Sequence, residues 1–295
     1  IVALCADLTA STKMDEFARS YPERFVEIGV AEQNLVTVGA GMALAGKVPF
    51  VSSYAAFSPG RNWEQIRTTI CLNETNVKII GSHAGVSVGP DGATHQMLED
   101  LALMRVLPHM TVIAPCDSLE AEKATRAMAS HVGPAYMRLA REKTPIITTD
   151  KTPFTLGKAQ IFRSGQDLTI VATGTMVYHA LMAAELLEDK HSLSAEVINA
   201  AVVKPLDAAT IVASARKTGA VLTIEEAQVA GGLGGAVAEV LGEQHPVPVS
   251  RLGMLDHFGE SGEPNELLEH FGLTAPHIAK QAMALHQRAQ GRRSK

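Results

Sequence analysis

Along the chain, short apolar runs rich in Val, Ile and Ala alternate with longer segments whose apolar positions recur at helical spacing. This is the pattern of strands and helices alternating around a mostly parallel sheet. In the first half, the runs at residues 1–5, 25–27, 49–52, 77–81, 111–114 and 135–139 predict strands. Segments 32–44, 63–71, 95–104 and 118–128 predict helices between them, the last capped by Asp117 or Ser118. A polar, proline-containing stretch at 143–158 interrupts the alternation. The pattern restarts with strands expected at 167–174, 195–199, 220–225 and 247–253, and with helices beginning near Thr175, Asp207, Gly231 and Pro264. The expected fold is therefore α/β, with two doubly wound domains at residues 1–150 and 160–295. The second is smaller and has a sheet of its own, and residues 290–295 are expected to fray.

Composition narrows the function classes. The 295 residues are 46% hydrophobic but only 4% aromatic, with 24 Gly, so the core is expected to consist of small aliphatic side chains between closely packed layers. A net charge of −5 without a long Lys/Arg cluster leaves no electrostatic footprint for nucleic acid or an anionic membrane surface. No apolar stretch reaches the roughly 18 uninterrupted residues of a membrane-spanning helix. Cys5, Cys71 and Cys116 form no CxxC pair, so a cytoplasmic protein without disulfides is expected. Because the chain opens at Ile1 inside an apolar run, its start is expected to be a truncation or a processed end.

Two segments concentrate polar groups in an apolar frame. EIGVAEQN at 27–34 places Glu32 at the start of a small-residue helix, where a carboxylate faces free backbone N–H groups and serves either chemistry or capping. GSHAGVSVGPDGATHQ at 81–96 combines two histidines, Asp91 and four glycines with few bulky side chains, which lets polar groups approach a ligand closely. Alone, it also reads as an ordinary surface loop.

Taken together, these segments resemble the pyrimidine-binding domain of transketolase. The matching text runs through ADLTAST at 6–12, RFVEIGVAEQN at 24–34, VPFVSSYAAFSPGRNWEQIR at 48–67, GSHAGVSVGPDGATHQMLEDLALMR at 81–105, APCDSLEAEKA at 114–124 and YMRLAREK at 136–143. TIEEAQVAGGLGGAVAE at 223–239 and LDHFGESG at 255–262 resemble the C-terminal domain of the same family. The resemblance implies thiamine diphosphate as cofactor and Glu32 as the acid at N1′ of its aminopyrimidine, with a pKa raised by an apolar pocket. It implies Tyr54, Phe57 or Phe50 as the ring stacked on the pyrimidine, and Asp7 near the thiazolium. It further implies His83, Ser11 and Arg141 on the phosphate of the donor sugar, Asp91 at its C2 hydroxyl and His95 as a catalytic proton shuttle. Arg138, three residues before Arg141, competes for the phosphate.

The departure from the family is an absence. Transketolases hold the diphosphate through Mg²⁺ on a GDG…NN motif in a separate N-terminal domain, and this sequence contains neither GDG nor NN. The resemblance therefore implies half of an active site: the C-terminal component of a split or truncated transketolase. Such a component would transfer two-carbon ketol units between sugar phosphates only with an N-terminal, Mg²⁺-binding partner, in an α2β2 assembly. The alternatives are a fragment of 1-deoxyxylulose-5-phosphate synthase, a beta-type subunit of a 2-oxo acid dehydrogenase, and a non-catalytic interaction module of the same fold.

Overall fold

The computed structural model describes residues 1–293. Strands β1 (Val2–Cys5), β2 (Phe25–Glu27), β3 (Pro49–Tyr54), β4 (Lys78–Ser82), β5 (Thr111–Ile113) and β6 (Ala135–Arg138) run parallel in one sheet, in the order β5-β6-β4-β3-β1-β2. Register explains why both faces are covered. Val51, Ile79, Tyr136 and Val112 align across four strands and point into one core, with Leu35, Val36 and Ala40 of the helix Glu32–Leu44. The residues one step along, including Met137 and Ile113, point the other way onto Ala124 and Met128 of the helix Ser118–Ser130. That alternation is the period of two expected of buried parallel strands. Asp117 caps this second helix by accepting the Glu120 N–H at 2.8 Å.

The second sheet comprises β7 (Gln160–Arg163), β8 (Leu168–Ala172), β9 (Ala195–Asn199), β11 (Val221–Gln228) and β12 (Val249–Met254), ordered β12-β11-β8-β9-β7 with β7 antiparallel at the edge. One face buries Ile170, Val197 and Leu222 under the helices Met176–His191 and Ala275–Arg293; the other buries Val171, Ile198 and Val221 under Ala208–Thr218 and Leu233–Gln244. β10 (Val202–Lys204) leaves this unit and pairs antiparallel with β5, making the first sheet seven-stranded. The second half thus does not keep its strands to itself, as its pattern suggested.

Three expected elements differ. The helix over 95–104 shortens to Asp100–Arg105, because Gln96 is held in the preceding loop by its own side chain. The helix over 63–71 is one α-turn, Trp63–Gln65, followed by a π-helical stretch, Ile66–Cys71. The terminal helix Ala275–Arg293 runs through residues 290–293, where fraying was expected; residues 294 and 295 lie outside the described residues. No helix among the described residues is long and apolar enough to cross a membrane.

Candidate active site

The polar residues singled out in the sequence follow the C-terminal ends of parallel strands, where open α/β sheets present ligand sites. Asp7 follows β1, Glu32 follows β2, Tyr54 ends β3, His83 follows β4 and Arg141 follows β6. The β3–β4 register sets Tyr54 opposite Ser82 and so brings the next residue, His83, to its side. The two rings stack with centroids 3.8 Å apart.

Glu32 opens its helix with only 5% of its surface exposed, beside free N–H groups of the first turn that favour a carboxylate. It faces an open hollow of about 640 Å³ lined by Val30, Ala31, Gln33, Asn34 and Arg61. Arg61 Nη1 donates to both carboxylate oxygens, at 3.1 and 3.3 Å. The same guanidinium lies 4.2 Å from the centroid of Phe57, a cation–π contact. Beneath it, buried Asn62 donates to the Glu32 carbonyl at 2.8 Å and to Ser58 Oγ at 3.1 Å, tying the loop after β3 to the helix. The wall beside Glu32 is therefore a cation and an aromatic face rather than purely apolar.

From Phe57 the contacts continue inward. His95 packs edge-on against Phe57 at 5.3 Å and against Tyr54 at 6.3 Å, and its Nδ1 lies 2.9 Å from Thr94 Oγ1. Burial, followed by the charge of Arg141 and the proximity of His95, pushes the His83 imidazole down to about 4 despite the opposing pull of Asp91. At neutral pH, His83 is thus an uncharged hydrogen-bonding ring and not the fixed cation expected of a phosphate ligand. Arg141 is the charged group: its Nη1 donates to Val88 O at 2.7 Å and stands 3.7 Å from Asp91 Oδ1.

Two expectations are corrected. Phe50 belongs to the core on the far face of the sheet, packed with Ile113, Met128 and Met137, and cannot stack on a ligand. Arg138 is buried against Asp100 at 3.6 Å and donates to Glu226 O at 2.5 Å, so it is a core ion and does not compete for a substrate phosphate. Asp7 and Ser11 are not part of the chain of contacts that joins Glu32, Arg61, Phe57, Tyr54 and His83. Their loop is organised instead by Glu27, whose carboxylate accepts Asp7 N–H at 2.7 Å, Thr9 O–H at 2.8 Å and Gly29 N–H at 3.0 Å. Partial burial alone would raise the Glu27 carboxyl, but these hydrogen bonds outweigh it and hold the group below its ordinary value. Arg61 and Asn62 were missed as site residues; the only sequence signal was a basic residue four positions after Phe57. Among the described residues, no three His, Cys, Asp or Glu side chains converge as metal ligands.

A buried acid at a helix start, an aromatic wall and an Arg–Asp pair at the carboxyl edge of a parallel sheet define an α/β enzyme-type site. The family models for the transketolase pyrimidine binding domain and the transketolase C-terminal domain match residues 1–146 and 157–278. The chain belongs to the transketolase family. It is 45% identical over 98% of its length to the 6-deoxy-6-sulfo-D-fructose transketolase subunit SqwH of Clostridium sp. (strain MSTE9), covering 89% of that protein. It is 38% identical over 96% of its length to an apulose-4-phosphate transketolase subunit of Phocaeicola vulgatus, covering 90% of it. Among solved structures, a split gene transketolase described as an inactive β4 tetramer superposes with a TM-score of 0.89 at 47% identity, over 98% of this chain and 91% of that one.

Proposed function

We propose that this chain is the pyrimidine-side subunit of a split, thiamine diphosphate-dependent transketolase, which transfers two-carbon ketol units between sugar phosphates once a diphosphate-binding chain completes the site. The observation that carries the reading is the buried Glu32 carboxylate at the rim of an open hollow, joined by continuous contacts to His83, whose imidazole feels the charges of the Arg141–Asp91 pair. The residues fit the cofactor's aminopyrimidine: a ring needs an acid at one ring nitrogen and an aromatic face, and Glu32 and Phe57 offer both. When bound, the cofactor supplies the nucleophilic carbon of ketol transfer.

The chain's own residues then divide the work. Glu32 holds a proton at N1′ of the pyrimidine, and Arg61, whose side chain is half-exposed, turns outward to release it. Phe57, flanked by Tyr54, walls the ring and excludes water. Arg141 binds the anionic terminus of the donor, neutral His83 adds a hydrogen bond, Asp91 reads the hydroxyl at C2, and His95 moves protons at the reacting oxygens. Ser11 and Asp7, on the loop after β1, are assigned by the same reading to the donor phosphate and the thiazolium. Mg²⁺ and the diphosphate belong to the partner chain, in an α2β2 complex. The two split-subunit relatives bear the names of a sulfosugar and a sugar phosphate, so the donor terminus is taken to be a phosphate or a sulfonate.

Glu32→Gln tests the reading. The amide fills the same space but cannot share a proton with N1′, so transfer by the assembled enzyme should fall about 10²–10⁴-fold with assembly unchanged by sizing. Retained turnover would reduce Glu32 to a helix cap.

A further inference from the structure

The segment between His83 and His95 carries most of the groups proposed to read the donor, yet it has little regular structure. Its one helical stretch, Val86–Asp91, is broken at Gly89, and Gly85, Gly89 and Gly92 have φ of +92°, +82° and +70°. Such a backbone has no ladder of its own to define its shape, so outside partners must do so.

Those partners come from the second α/β unit. Glu226, at the carboxyl end of β11 and 5% exposed, accepts the Ser87 N–H at 2.6 Å through one oxygen and the Thr175 hydroxyl at 2.8 Å through the other. The Gly85 backbone passes so close that a Cβ there would lie 2.3 Å from Glu226 Oε1, which explains the glycine. At the far end of the segment, Gln96 Nε2 lies 3.0 Å from Val86 O, 3.2 Å from Gly89 O and 2.8 Å from Glu260 O. A Cβ on Gly92 would meet Ser261 Oγ at 2.4 Å. Between these two clamps, Val88 O accepts from Arg141, and Asp91 faces the same guanidinium.

Resting on the transketolase reading of the site, we infer that Glu226 is a positioning residue: through the Ser87 N–H it sets the conformation of the donor-reading segment, and with it the direction of Arg141 and Asp91. A carboxylate suits the task because it takes a backbone and a hydroxyl donor at once in charge-assisted bonds. Without it, the Ser87 N–H is buried and unpaired. The second unit is thereby part of the substrate-reading apparatus, in addition to its contribution to the fold.

The test compares wild type, Glu226→Ala and Glu226→Gln by amide hydrogen exchange on the full chain, then by kinetics of the complex with its diphosphate-binding chain. Loss of a charge-assisted bond should raise exchange of residues 84–96 by about 10- to 150-fold in Glu226→Ala, with residues 32–44 unaffected. Glu226→Gln, whose amide can accept from Ser87 and donate to Thr175, should restore protection. In the complex, Glu226→Ala should raise KM for fructose 6-phosphate about tenfold or more and raise KM for hydroxypyruvate, which carries no phosphate, far less. Should the Ala variant not fold, Glu226→Asp, which keeps the charge but withdraws the carboxylate, reads the same contrast. Unchanged exchange at 84–96, or an equal rise at 32–44, overturns the assignment. Absence of ketol transfer by the wild-type complex would instead sink the proposed function, while the exchange comparison still decides the role of Glu226.

Discussion

At the scale of single residues, the site separates charge from shape. Arg141 is the cation that faces Asp91, and His83 beside it is kept neutral by burial. Arg141→Ala should therefore cost about 1.5–3 kcal/mol, roughly 10- to 150-fold in kcat/KM, with a phosphorylated donor and far less with hydroxypyruvate, which carries no phosphate. His83→Ala should cost only about 1 kcal/mol, the loss of a neutral hydrogen bond. Steady-state kinetics with both donors checks the ranking, and equal losses for the two donors in Arg141→Ala would remove it from the anion site. The neutral histidine also has a stability signature. Its folded value of about 4 lies below the ordinary 6.5, so between those limits the unfolded chain binds a proton that the folded chain refuses. Stability is then lost as pH falls from 6.5 towards 4, and His83→Asn, which tolerates the positive φ of 57° at this position, should lose less over that window. Denaturant melts across the window measure the difference.

At the scale of elements, what was legible in the sequence was whatever local periodicity encodes. All six parallel strands of the first sheet could be read because each is a short, mostly apolar run set off from neighbouring helical or polar patterns. β7 and β10 could not, since they are short edge strands whose partners, β9 and β5, lie far along the chain. Glu32, Tyr54, His83, Asp91 and Arg141 were readable from motif wording, whereas Arg61 and Glu226 act through contacts spanning 29 and 139 residues, which no local pattern encodes. Arg138 shows the limit most plainly. It shares a motif with Arg141, but it is the last residue of β6, whose four residues are all buried, while Arg141 lies beyond the strand end. Inside, it faces Asp100, which also accepts the Tyr136 hydroxyl at 2.8 Å. Arg138→Ala leaves that carboxylate without its counter-ion and should cost about 3–5 kcal/mol of stability, read by thermal or denaturant unfolding. Near-native stability with a selective loss of anionic donor binding would return Arg138 to the substrate site.

At the scale of the molecule, the hollow beside Glu32 opens at the carboxyl edge of the first sheet, and the second unit braces the loop on the other side of the aromatic wall. This chain builds one rim of that hollow, and in the proposed reading a diphosphate-binding chain supplies the other. The measurement that tests this most directly is ketol transfer from a ketose phosphate, with thiamine diphosphate and Mg²⁺ present, by three samples: this chain alone, the GDG-containing chain alone, and the two mixed. The account predicts turnover only in the mixture, abolished when this chain carries Glu32→Gln. Turnover by this chain alone, or undiminished turnover in the mixture with Glu32→Gln, would contradict it.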